Sequence, residues 1–180
     1  MPTIDNSSDE VIFADERIVK LSLPDIRSLK TLADSNARRS AMLCAHGSIE
    51  DKLHEMFIVH TIDTYIRPHK HLTKSISFHV IEGLADFVIF DEQGNIIDVI
   101  PVGGYTSGNR FYCRVPSSQY YTQLIRSEVF VFHETIIGPF DRSDTIWAPW
   151  SPERDDNTNA EVFMERLVAT VDRFTGATGI

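Results

Sequence analysis

Cysteine is scarce in this sequence. Cys44 and Cys113 are the only two in 180 residues, and neither belongs to a CxxC pair. Two cysteines make no disulfide framework, and a reduced cytoplasm is the simplest setting for them. Basic residues are outnumbered, 17 Lys and Arg against 26 Asp and Glu, giving a net charge of −9 and a pI of about 5.2. Without clustered cations to neutralise phosphates, non-specific nucleic-acid binding is excluded, although a local basic pocket for an anionic small ligand is not. No apolar run reaches the 18 residues a membrane-spanning helix needs. The opening MPTIDNSSDE is polar and acidic, unlike a signal peptide. Phosphate-binding glycine loops, nucleophile elbows and HExxH are absent. The Gly-rich GGYTSG stretch lies between expected strands, with no helix to present its amides.

What remains is an ordinary composition, 42% hydrophobic and 24% charged, in a length that suits one domain with short extensions. Residues 1–23 read as a lead, with 11–23 able to supply an edge strand. Ser22 before Pro24, with Ile26, Leu29 and Leu32 at helical spacing, predicts a helix over 24–36 inside a helix-and-connection segment, 24–52. From residue 53 the period changes to two. Strands are expected at 54–62, 65–71, 76–82, 85–90, 95–102, 110–115, 120–126 and 129–135, with DEQGN as a hairpin turn. That series over 53–140 predicts an all-β barrel or sandwich. An aromatic and Pro-rich arm follows at 141–158. Val162, Phe163, Leu167, Val168, Val171 and Phe174 then form a helical stripe, placing a helix over 159–174 within the final segment 159–180.

The stretch RPHKHLTKSISFHVIEG (67–83) carries the strongest chemical signal. His69 and His71 are two residues apart, so on a strand both imidazoles enter one pocket. By the same alternation Lys70 should point outward. His79 should face away from the pocket, and so should His133 if Glu134 points in. His46, His54 and His60 read as structural or surface groups, and Asp141 and Asp144 as turn caps.

The HxH pair, four residues, position 76, six residues and Gly83 resemble the first motif of the cupin family, except that Ile76 stands where Glu is usual. PSSQYYTQLI (116–125) resembles the second motif, with Ser118 in place of Gly, Tyr121 in place of His and Ile125 in place of Asn. LCAHGSIEDKLHEM, YIRPHKH, GNIIDVIPVGG, FHETIIGPFD and WAPWSP are similar to WbuC-type cupin-fold proteins of bacterial surface-polysaccharide gene clusters, over roughly residues 24–152. The resemblance implies an RmlC-like jelly-roll barrel flanked by an N-terminal and a C-terminal helix, a homodimer, and a ligand set reduced to His69 and His71.

Three readings follow. In the first, His69 and His71 hold a divalent transition metal (Zn, Fe, Mn, Ni or Cu), completed by Glu134 or the Tyr121 phenolate, for chemistry in saccharide or secondary-metabolite synthesis. In the second there is no metal: a sugar-nucleotide isomerase or epimerase uses His69 or His71 as base and Tyr121 as acid. Arg67, Lys70 and Lys74 would then form a basic rim for the diphosphate, with Arg67, Lys74 and Gln123 contacting substrate. In the third, Ile76, Phe78, Val80, Tyr121 and Phe132 fill the barrel and the protein is a silent binding module. Whether an open pocket reaches His69 and His71 separates the third from the others.

Overall fold

The structure is a computed structural model and describes residues 10–178. The expected edge strand is short, β1 (Val11–Phe13), and the first helix, α1, spans Leu23–Ser35. Its start follows from local chemistry: the Ser22 N–H donates to Asp25 Oδ2 at 2.8 Å, and Pro24 sits where no intrahelical donor is needed. Ile26, Leu29 and Ala33 face inward and pack on Ala41, Leu43, Val59 and Val131, the outer face of the first sheet.

That sheet is built from β1, β2 (Ser40–Cys44), β3 (Leu53–Thr61), β10 (Val129–Ile137), β5 (Ile76–Glu82) and β8 (Tyr112–Val115), in that order. The second has the order β11 (Thr145–Trp147), β4 (His69–His71), β9 (Tyr120–Ile125), β6 (Leu84–Phe90) and β7 (Ile96–Gly103). All ladders between strands are antiparallel except β1 with β2. The two sheets face each other as a jelly roll, the cupin barrel that the motif spacing implies. Strand β2 falls in the stretch read as a connection, and β11 in the stretch read as an extended arm. Both are too short to show a period of two by themselves.

Alternation decides what fills the barrel. Phe78, Val80, Phe87, Tyr121, Phe130 and Phe132 point inward and are buried, with Phe78 4.7 Å from the Phe87 ring and 5.9 Å from Phe132. Each such ring contributes about 1.5–3 kcal/mol by leaving water. Gly83 turns β5 into β6 with φ +86°, and a Cβ there would lie 2.2 Å from the Val129 carbonyl oxygen. The motif glycine is therefore required by close backbone approach. Helix α2 (Asn157–Thr178) lays Leu167 and Val171 on Val88, Tyr120 and Leu124, the outer face of the second sheet. Arg126 fastens it, donating to Asp86 at 2.6 Å and to Asp172 at 2.7 Å. No helix among the described residues is long and apolar enough to cross a membrane.

Candidate functional site

Strand β4 sits between β11 and β9, and the register sets Trp147 and Tyr121 beside His69, and Thr145 beside His71. The two histidines share a face, with ring centroids 5.5 Å apart and planes at 88°. Their surroundings differ. His69 lies against Tyr121 (4.7 Å) and Trp147 (5.3 Å), and its Nδ1 donates to the Arg67 carbonyl at 2.9 Å. Burial pushes its pKa down to about 4, so the ring is neutral at pH 7. His71 is flanked by the Thr145 hydroxyl, 3.4 Å from Nδ1, and by Asp144 Oδ2 at 3.7 Å. Burial lowers its pKa, and the Asp144 charge works in the opposite direction. Asp144 itself is buried and held by the Thr73 N–H (2.9 Å) and hydroxyl (2.6 Å). It is thus more than a turn residue: it carries its charge to His71.

One end of the barrel is open. A cavity of about 760 Å³ is lined there by His71, Lys74, Asp144, Glu134, His46 and His54, with Phe13, Met42, Met56 and Ile136 as its apolar wall. Glu134 comes from β10, in register between Met56 of β3 and Phe78 of β5. Its carboxyl has no hydrogen-bond or ion-pair partner among the described residues. Burial without a partner pushes its pKa up to about 7. Cys44, on the same wall, is pushed up to about 12 by burial and by Glu134, so its thiol stays protonated.

Of the residues singled out in the sequence, His71, Lys74 and Glu134 line this cavity, while His69, Tyr121, Arg67 and Gln123 stand outside its lining. Tyr121 is buried among Phe78, Phe87 and His69. Burial and then the Glu134 charge raise its pKa well above the ordinary phenol value. Gln123 is buried with its Oε1 unpartnered. The cations expected to form a rim are engaged elsewhere. Arg67 donates to Ser151 at 3.3 Å and lies over the Trp147 ring, Lys70 pairs with Glu92 at 2.6 Å, and Lys74 donates to the Pro139 carbonyl. His79 contacts Tyr105 and His133 faces Glu55, both turned away from the interior as alternation requires. Ser118 adopts φ +62°, the left-handed conformation of the glycine usual at that position.

A metal site needs about three protein donors. Among the described residues no group of three or more His, Cys, Asp and Glu is close enough to hold an ion. The donors drawn together at His69 and His71 stop at two imidazoles, and the neighbouring phenol resists ionisation, so the residues do not complete a cation site.

His46 and His54 were missed as a pair by sequence reasoning. Their rings are stacked at 4.0 Å and 11° in the cavity wall. The signal becomes visible once β2 is recognised. If Cys44 pairs with Met56, then 46 and 54 are the next cross-strand neighbours on the same face.

A domain-family profile described as a domain of unknown function, DUF6016, matches residues 21–102. No curated protein matches the chain. Among solved structures, protein SO0799 from Shewanella oneidensis superposes with a TM-score of 0.52 at 9% identity, covering 71% of this chain and 85% of its own. Oxalate decarboxylase from Bacillus subtilis gives 0.47 at 18% identity, covering 60% of this chain, and the chain spans only 27% of that protein. Streptomyces PAC13 with uridine gives 0.47 at 12% identity, covering 62% of this chain and 79% of its own. At these identities the likeness is one of fold.

Proposed function

We propose that this cupin-fold protein binds a metabolite-sized ligand in the open end of the barrel and moves a proton on it by general acid–base chemistry. The observation that carries this reading is the Glu134 carboxyl, half-buried in the cavity wall and without a protein partner among the described residues, in the same cavity as a His71 backed by Asp144. A carboxyl with a pKa of about 7 is near half-ionised at neutral pH, which suits both taking and returning a proton. The reaction class is proton removal alpha to a carbonyl. Glu134 takes the C–H proton, and the electron pair moves into an enolate. His71 stands by the developing oxyanion with Asp144 supporting its charge, and the proton is returned to a different carbon or the opposite face. The apolar wall of Phe13, Met42 and Met56 limits water. Isomerisation or epimerisation of a keto sugar is one instance of this class. The WbuC-type resemblance supports a setting in bacterial saccharide or secondary-metabolite synthesis, and the two unpaired cysteines support a reducing compartment.

The test is deuterium exchange. Incubation in D2O with a panel of keto sugars, their nucleotide forms and 2-oxo acids should label at least one substrate. Glu134→Gln should slow that exchange by roughly 10²–10⁴-fold. Absence of exchange across the panel, or unchanged exchange in Glu134→Gln, overturns the reading.

A resident transition metal is the competing reading, favoured by His69 and His71 sharing one face. It is decided by elemental analysis of untagged protein. A stoichiometric metal lost in the His69→Ala, His71→Ala double variant would replace the acid–base account.

A further inference from the structure

The outer faces of the two sheets are finished differently. Helix α2 lies along the second sheet, with Leu167 and Val171 on Val88 and Leu124. Helix α1 covers the first sheet only where Ala41, Val59 and Val131 emerge. Beyond α1, the outward side chains of β3, β10, β5 and β8 are half-buried or exposed.

Strand register sets these side chains in rows. One row runs Glu55, Thr135, Ser77 and Arg114 across the four strands. An acid stands at one end and a base at the other, three strand spacings or about 14 Å apart, with two small polar side chains between them. Arg114 is exposed and has no hydrogen-bond or ion-pair partner among the described residues. The Glu55 side chain is 46% exposed, with His133 Nε2 at 3.7 Å from its carboxylate. The row on the α1 side carries rings, Phe57, His133, His79 and Tyr112. The row on the other side begins with Leu53 and Ile137, both exposed, Ile137 also bordering the cavity mouth.

A two-fold axis normal to the sheet, passing between Thr135 and Ser77, turns this pattern onto itself. It carries β3 over β8 and β10 over β5, and exchanges the two flanking rows. Glu55 of one copy then lies over Arg114 of the second copy, twice by symmetry. Leu53 lies over the exposed Tyr112 ring, and Ile137 over His79. Opposite charges meet, and exposed aliphatic side chains meet rings. Sheets packed face to face stand about 10 Å apart. A Glu and an Arg side chain span that gap together, while Thr135 and Ser77 leave the centre free of bulk. An isologous contact demands this reciprocity, i on j and j on i. Two copies of net charge −9 repel each other, so their association needs local pairing of this kind. We propose that this uncovered face is the contact between two copies of the chain, closed by reciprocal Glu55–Arg114 pairs and by Leu53 on Tyr112.

Sedimentation velocity of the full chain tests this. Between about 1 and 300 µM at low salt, monomer should pass to dimer with a Kd on the order of 10 µM, as suits a contact smaller than the roughly 800 Å² per partner of a standard interface. Glu55→Arg and Arg114→Glu each place two like-charge contacts in the interface and should weaken the dimer about tenfold. The double variant Glu55→Arg, Arg114→Glu restores the pairing in reverse and should return to within about threefold of the wild type. That rescue separates a contact effect from a folding effect. Leu53→Ser should weaken the dimer about fivefold. Salt at about 0.5 M should weaken the wild-type dimer about threefold. A wild type that stays monomeric throughout, association that grows past two copies, a dimer indifferent to the single reversals, or single reversals that the double variant does not rescue overturns the inference.

Discussion

The two ends of the barrel interior are made of the same strands and have opposite characters. Toward Phe130 and Val80 the interior is filled by rings packed at a tilt, and His60 leans on Phe132 at 5.4 Å. Toward Glu134 and Ile136 the same strands diverge around a cavity whose walls carry titratable groups. The difference between them is packing, and it separates residues that hold the fold from residues free to do chemistry. Adjacent positions on one strand fall on different sides of this divide. His69 is wedged between Tyr121 and Trp147, while His71, two residues on, borders open space.

The contrast is sharpest in truncations. Phe130→Ala in the filled end should cost about 3–5 kcal/mol, and Met42→Ala on the cavity wall under about 2, because the latter leaves a surface already partly open. Urea unfolding of both variants measures this, and equal costs would dissolve the distinction. The two ends should also respond to pH with opposite signs. His60 is pushed down to about 3 by burial. Between that value and about 6.5 the unfolded chain binds a proton that the native state refuses, so this stability is full above pH 6.5 and is lost as pH falls. Glu134, raised to about 7, binds its proton in the native state and releases it in the unfolded one between about pH 4.5 and 7. Its contribution is therefore lost as pH rises through 7. Glu134→Gln should match the wild type near pH 4 and exceed it at pH 8 by on the order of 3 kcal/mol, read from urea midpoints.

A smaller effect is expected at the cavity mouth. A Cβ on Gly138 would lie 1.8 Å from the Asp51 carbonyl oxygen and 2.7 Å from His54. Gly138→Ala should cost about 1–3 kcal/mol in urea unfolding, while the near-ultraviolet circular dichroism of the filled end is kept. Least in energy is Asp144→Asn, which keeps an acceptor for Thr73 but removes the charge beside His71. The His71 titration midpoint should move lower, visible by NMR, with little change in the unfolding midpoint.

Much of this architecture was legible from residue order. The Ser22 cap ahead of Pro24, the period of two in β3 and β5, and the apolar stripe of α2 are local patterns, and local patterns are what a sequence displays. Gly83 was legible because its turn leaves no room for a side chain. Glu134 was singled out as a candidate third donor beside His69 and His71. Its lack of a partner was not visible, since a missing neighbour is a property of what packs nearby. The cations Arg67 and Lys70 looked available for a ligand rim or for solvent, and their engagement with Ser151 and Glu92 depends on contacts far along the chain.

The sequence alone determined that His69 and His71 share a face, because a strand has a period of two whatever surrounds it. Only the tertiary structure decided that they do different things. The register of β11 and β9 seals one against aromatic rings, the 3₁₀ turn at Arg142–Asp144 brings a carboxylate to the other, and the β2–β3 hairpin adds His46 and His54 from a stretch with no periodic signal of its own. Periodicity fixes the direction in which a side chain points, whereas the neighbours it meets are set by long-range pairing, and those neighbours govern its charge, its access and its chemistry.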